Sequence, residues 1–344
     1  MAPRVGQKAR LLFSMSATSI DALTDLQMQG VNQKIESALR SDVALISQMG
    51  AYIIGAGGKR LRPRLVLISA LAHDYKGKHH QNVAAIIEFI HTATLLHDDV
   101  VDSSAMRRGQ DTANAVWGNE AAVLVGDFLY SRAFEMMVEV GKMRVMEILS
   151  AATNTIAAGE VMQLLNIGEV DVSVERYLEV IGAKTAKLFE AATQLGAVLA
   201  SANAEEEQAM ALYGSHLGIA FQLIDDALDY TADSGELGKN AGDDLAEGKP
   251  TLPLIYAMQD SDEQTRSMVR NVLAESAEGR QSGSNAKQLQ VIVGLVKGSG
   301  SIERTYKMAQ QHVDAAIESI QSLTPGIYKD GLINIAEQSM ARRF

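Results

Sequence analysis

The sequence predicts an all-α fold, a single large helical bundle around a central cavity, and three observations carry that expectation. Only 5 prolines occur in 344 residues, while Ala, Leu, Met, Gln and Glu, all strong helix formers, abound. Long stretches repeat apolar residues at i, i+3, i+4 and i+7. No alternating strand pattern survives comparison with the helical one. An apolar fraction of 47% beside 21% charged residues is ordinary globular composition and supplies a large core.

The elements follow in order. "MAPRVGQKARLLFSMSATS" (1–19) is basic, has no acid before Asp21 and lacks the apolar h-region of a leader. It reads as a flexible N-terminus, and 20–344 as one domain. "GAGGKRLRP" (55–63) is a break, with Pro63 placed to open the next helix. "NVAAIIEFIHTATLLHDDVVD" (82–102) keeps helical spacing without internal Gly or Pro. After a second break, "SSAMRRGQDT" (103–112), come "GNEAAVLVGDFLYSRAFEMMVEV" and "YGSHLGIAFQLIDDALDY", which read the same way. Several of these are apolar nearly all round, as buried central helices are. The break at 231–250 is about 20 residues, longer than a normal connection and of the length that functional lids have. "ESAEGRQSGSN" (275–285) is small and polar, a surface loop. No stretch resembles an interdomain linker, and no solenoid repeat is visible.

Charge and composition narrow the function. A net charge of -11 argues against nucleic acid as a partner, since phosphate backbones need a positive face. Small phosphorylated ligands need only a local cationic cluster. The chain has no cysteine, which removes disulfides and thiolate chemistry and fits a reducing compartment. No apolar run approaches the roughly 20 residues of a transmembrane segment. The expectation is a soluble, cytoplasmic protein.

The sharpest local signal is "LLHDDVVDSSAMRRG". Asp98, Asp99 and Asp102 stand at i, i+1, i+4, so at about 100° per residue Asp98 and Asp102 lie one above the other with Asp99 beside them. An isolated DDxxD is most simply a solvated helix end. Here "FQLIDDALDY" repeats the spacing with Asp225, Asp226 and Asp229. If the two helices face each other, the carboxylates converge on one cavity and their repulsion calls for bound cations. Oxygen ligands without a histidine or thiol cluster select Mg²⁺ or Mn²⁺, and Mg²⁺ usually completes its shell with substrate phosphate.

Cations accompany them. "GGKRLRP" offers Lys59, Arg60 and Arg62 at a helix start, where side chains and helix dipole together favour phosphate. A nucleotide-binding loop is the rival reading, but no strand precedes it and no Ser/Thr follows the lysine. Arg107 and Arg108 follow the first acidic cluster, and Lys184, Lys239 and Lys249 are further candidates. Each lysine taken alone is more simply surface charge.

With "GGKRLRP", "HTATLLHDDVVDSSAMRRG", "GAKTAKL", "FQLIDDALDY" and "GDDLAEGKPTLPL" in that order, the chain resembles the trans-polyprenyl diphosphate synthases of the class I isoprenoid synthase fold, from about Ile35 to the C-terminus. The resemblance implies three Mg²⁺ ions around an allylic diphosphate, held by Asp98, Asp102 and Asp225, with Asp99 and Asp229 completing the motifs and Asp226 less central. It implies that Lys59, Arg62, His91 and Arg108 hold isopentenyl diphosphate. Arg107, Lys184, Thr185, Gln222 and Lys239 would meet the allylic diphosphate, and Lys249 is a weaker candidate. It also implies a homodimer.

The resemblance also implies a chemistry: an allylic diphosphate ionises, isopentenyl diphosphate attacks, and a proton leaves, giving a chain one isoprene unit longer. Water must be excluded, and the loop from Thr231 to Lys249 is the candidate lid. The "ARRF" terminus is a second candidate. The ruler for product length is placed at Ala93, five residues before Asp98, with deeper stops at Phe134 or Met137. A helix of about 20–25 residues spans about 30–38 Å, which suits a product of about eight to ten units, of the kind that becomes a respiratory quinone side chain. Membrane would then assist product release. The alternatives are a medium-chain (geranylgeranyl) diphosphate synthase of the same fold, a class I terpene cyclase, which would want more aromatics than the 5% present, and a non-catalytic synthase subunit, which would tend to lose an aspartate motif.

Overall fold

The structure is a computed structural model that describes residues 19–55, 58–107, 109–231, 242–277 and 283–341. The described residues are overwhelmingly helical, in agreement with the all-α expectation. α1 (Ile20–Ala38) is capped by Ser19, whose hydroxyl accepts from the Ala22 amide at 3.2 Å, as a serine at this position does. α2 (Ala44–Gly55) and α3 (Leu61–Ala72) follow. Pro63 sits in the first turn of α3, where its missing N–H costs nothing.

α4 (His79–Val101) carries the first aspartate motif at its C-terminal end and packs along α6 (Asn119–Val140). Its buried face is Val83, Ile86, Ile87, Ile90 and Ala93, the stripe that helical periodicity defines. Between α4 and α6, Met106–Arg107 pairs antiparallel with Gln110–Asp111, ahead of the short α5 (Ala113–Trp117). The sequence gives no strand signal here. The pair is two residues a side, and Gly109 at φ 75° supplies the left-handed turn that such a ribbon needs.

α7 (Met143–Leu164) leads to α8 (Val174–Ile181), which runs through a π-helical turn, Gly182–Ala186, into α9 (Lys187–Leu199). Glycines make room for that turn on both sides. A Cβ on Gly159 of α7 would fall 2.7 Å from the Lys184 amide nitrogen, and one on Gly218 would fall 2.6 Å from the Ala186 Cα. α10 (Ala204–Thr231) is the longest helix, 28 residues, and ends in the second aspartate motif. It packs against α9 on one side and α15 (Ser301–Ser319) on the other. α11 (Asp243–Ala246), α12 (Leu252–Gln259), α13 (Glu263–Ala277), α14 (Gly283–Gly298) and α16 (Ile327–Met340) complete the order. Tyr213 of α10, fully buried, ties into α16 by donating to the Leu332 carbonyl at 2.7 Å. Among the described residues no helix is long and apolar enough to cross a membrane.

Candidate active site

The C-terminal end of α4 opens onto a cavity of about 470 Å³. Asp98 and Asp102 stand at its mouth. Thr94, Tyr130, Ile156 and Ala157 form walls below them. The two carboxylates are not left unmatched. Asp102 accepts from the Lys249 ammonium at 2.8 Å, and Lys249 also reaches Glu247 at 2.7 Å. The Lys184 ammonium lies 3.8 Å from Asp98, 2.6 Å from Glu160 and 2.6 Å from the Gln163 side-chain oxygen.

The energetics follow from this arrangement. Burial pushes the Asp98 carboxyl up, Lys184 pulls it back down, and Asp102 raises it again. Burial alone would lower Lys249, but Glu247 and Asp102 outweigh it and hold the ammonium raised. The π turn explains Lys184: five residues in a wider turn rotate this side chain relative to the α8 face and aim it across α7 at the aspartates. Such turns recur at functional sites because they redirect side chains.

The second motif lies against a neighbouring small cavity that shares Gln163 with the first and is closed by Lys184, Lys249, Tyr177, Gln222, Asp226 and Asp244. Asp226, 1% exposed, is held by the Tyr177 hydroxyl and by the Gln222 amide at 2.7 Å. Gln222 in turn accepts from Thr185 at 2.9 Å. Burial, reinforced by Asp244, pushes Asp226 up to about 8, and burial with Asp244 does the same to Asp229. One Asp229 oxygen accepts from the Asp243 amide at 3.2 Å. The other is buried without a hydrogen-bond partner.

A separate basic pocket of about 350 Å³ lies one stretch of α4 away, lined by Lys59, Arg60, Arg62, Glu88, His91 and Phe221. Arg62 Nη1 and His91 Nε2 are 3.2 Å apart. The Arg62 guanidinium also lies 4.4 Å from the Phe189 ring centre, a cation–π contact that fixes its plane. His91 precedes Asp98 by seven residues, about 10 Å of helix, so the two pockets are set apart along one rigid element.

This geometry has the parts of a two-diphosphate site, and comparison with known proteins gives the family. Residues 43–290 match the family model for polyprenyl synthetase. The octaprenyl diphosphate synthase of Escherichia coli (strain K12) is 48% identical over 328 residues, covering 95% of this chain and 99% of that protein. The all-trans-nonaprenyl-diphosphate synthase (geranyl-diphosphate specific) of Rhodobacter capsulatus is 42% identical, over 91% of this chain and 94% of that one. Among solved structures, a polyprenyl synthase from Caulobacter crescentus complexed with calcium and isoprenyl diphosphate superposes with a TM-score of 0.89 at 42% identity, covering 94% and 97% of the two chains. The chain belongs to the polyprenyl synthetase family.

The synthetase brings most of the sequence-predicted residues together. Asp98 and Asp102 share one cavity mouth with Lys184 3.8 Å from Asp98, Thr185 and Gln222 share one hydrogen bond, and Lys59, Arg62 and His91 share the basic pocket. Asp99 and Arg107 depart from the expectation. Asp99 is 4% exposed and accepts from Arg107 at 2.7 Å, in a recess beside Tyr52 and Asp111 rather than on the cavity. One residue along a helix is a turn of about 100°, enough to take Asp99 off the face of Asp98. Arg108, Lys239, the tip of the lid (232–241) and Arg342–Phe344 lie outside the described residues.

Ala93 also sits apart from the wall. It is fully buried, and Thr94 lines the cavity instead. Four residues bring a helix back to within about 40° of Asp98, whereas five overshoot to about 140°. Sequence reasoning missed Glu160, Gln163 and Tyr177. The first two stand at i, i+3 in "GEVMQLL", a spacing that puts them on one face of α7. Tyr177 gave no signal beyond helical burial.

Proposed function

We propose that this synthetase elongates an allylic diphosphate by repeated head-to-tail condensation with isopentenyl diphosphate, releasing a long all-trans polyprenyl diphosphate of about 40–50 carbons, a length in keeping with the roughly 30–38 Å run of its cavity helices. The observation that carries the reading is the pairing of Asp98 and Asp102 with an apolar cavity directly beneath them and a metal-independent cationic pocket further along the same helix.

A hard divalent cation fits the donor set. Asp98, Asp102 and Asp225 offer only oxygen, and in this structure two lysine ammoniums lie against the first pair. Among the described residues no three such side chains stand close enough to share one ion. Substrate phosphate would therefore complete the coordination, as is usual for Mg²⁺, and Mn²⁺ meets the same requirement. Mg²⁺, three ions by the family resemblance, supplies charge neutralisation on the diphosphate when bound.

The chain's own residues do the rest. Lys184 and Lys249 turn from carboxylates to the phosphate oxygens and stabilise the charge that grows as the allylic carbon–oxygen bond breaks. Lys59, Arg62 and His91 hold isopentenyl diphosphate so that its double bond attacks the allylic carbon. A proton then leaves to the released diphosphate, and the new chain, one unit longer, moves down between Thr94, Tyr130 and Ile156. Asp99 with Arg107 fixes the loop after α4, and Asp226 with Tyr177 fixes the end of α10. Both act as positioning groups.

A homodimer accords with the apolar residues that α6 and the start of α7 leave exposed away from the cavity mouth, Val123, Leu124, Val138 and Met143. A cytoplasmic location, a supply role in quinone side-chain synthesis and a membrane that helps product release belong to the same reading. The test is product analysis. Purified protein is incubated with farnesyl diphosphate, excess isopentenyl diphosphate and Mg²⁺, with an EDTA control, and extracts are analysed by mass spectrometry. Long products that vanish with EDTA support the proposal. A stop at the geranylgeranyl product overturns the chain length, and no condensation overturns the activity.

A further inference from the structure

Away from both pockets, where α10 runs along α15, each helix carries a histidine. His216 and His312 face one another with Nδ1 atoms 3.0 Å apart, ring centres 5.1 Å apart and ring planes at 48°. One Nδ1 donates to the other, which requires at least one neutral ring. Neither residue lines the aspartate cavities or the basic pocket, and the reaction gives them no part. His216 precedes Asp225 by nine residues, about 13 Å along the helix.

We propose that His216 and His312 form a binding site for a divalent transition metal of the Zn²⁺ type, separate from the hard-cation site of the aspartates. Geometry carries this. Two imidazole nitrogens on a tetrahedral ion at about 2.0–2.1 Å stand about 3.3 Å apart, so the observed 3.0 Å needs only about 0.3 Å of widening. The proton between the two nitrogens is the group that the metal replaces. Each ring is only partly buried, so water can fill the remaining positions. Burial lowers the proton affinity of both rings, which keeps the ligating form available near neutrality. Imidazole suits Zn²⁺, Ni²⁺ and Cu²⁺ and is poorly matched to Mg²⁺, so the two sites discriminate. With two protein ligands the site is exchangeable rather than permanent. Its effect is to cross-link α15 to the helix that ends in Asp225 and Asp229.

The experiment is Zn²⁺ titration of the metal-free full chain by calorimetry with Mg²⁺ in excess, alongside thermal melting with and without Zn²⁺. One Zn²⁺ per chain is expected, with a Zn²⁺-dependent rise in Tm. His216→Asn and, independently, His312→Gln on the more peripheral α15 should each abolish the event, while Asp98→Asn should leave it in place. Binding that survives both histidine substitutions, or is lost with Asp98→Asn, overturns the proposal, as does absence of Zn²⁺ binding to the parent chain.

Discussion

At the scale of single residues, product length is the sharpest question. Thr94 lines the cavity and Ala93 does not, so bulk at the two positions should act differently. Thr94→Tyr is expected to place a ring in the path of the growing chain and shorten the product to about three or four units, since one added turn of side chain closes a wall one helical turn below Asp98. Ala93→Tyr, at a position with no free space, should instead cost about 1–3 kcal/mol of stability by overpacking. Product mass spectra beside urea midpoints separate the two. Equal shortening with unchanged midpoints would return the ruler to position 93. The DDxxD spacing was legible as a shared face for Asp98 and Asp102 because helical rotation alone determines it. Which side of α4 holds the cavity depends on α6 and α7, and no local pattern encodes that. Asp99 reads from sequence only as completing the motif, and the fold shows it bonded to Arg107.

At the scale of elements, the π turn at Gly182–Ala186 is the device that aims Lys184, and it was invisible to periodicity because "GAKTAKL" reads as ordinary helix. Its room comes from glycines on other helices, far away in sequence. Gly218→Ala should therefore cost about 1–3 kcal/mol, since the new methyl meets backbone at 2.6 Å. It should also raise KM for the allylic substrate through Lys184 and Thr185 while leaving isopentenyl diphosphate affinity unchanged. Denaturant midpoints and steady-state kinetics read both. The pairing of α10 with α15 makes a prediction in pH. Burial, followed by the charge of His216, lowers His312 from its ordinary 6.5 to about 4. A depressed folded value means that the unfolded chain takes up the proton first, so the stability from the neutral ring is complete above about pH 6.5 and is lost as pH falls towards 4. Tm should drop over that window more steeply in the parent than in His312→Gln. Identical slopes would mean that the ring titrates normally. This pair was not singled out in the sequence because its members lie 96 residues apart on separate helices, and no local pattern joins them.

At the scale of the whole molecule, the site requires a helix bundle that encloses a hydrocarbon and yet lets it go. The long apolar helices that revealed the fold class also wall the cavity, so stability and substrate binding draw on the same surface. Each buried methylene of product contributes about 0.8 kcal/mol of affinity, and a chain of many units therefore leaves slowly into water. Val101, Val161 and Leu164 around the cavity mouth are both lining and exposed, giving the emerging tail an apolar rim continuous with the outer face of α7. Release, rather than condensation, should then limit turnover. Rapid quenching is expected to show a burst of long product, about one per site, followed by a slow steady phase. Detergent or phospholipid vesicles should accelerate the slow phase several-fold without changing the burst rate, because they offer the tail an apolar destination and touch neither the aspartates nor the basic pocket. Val161→Ser with Leu164→Ser should slow release further by interrupting the rim. A linear time course from the first turnover, insensitive to vesicles, would place the slow step in the chemistry instead.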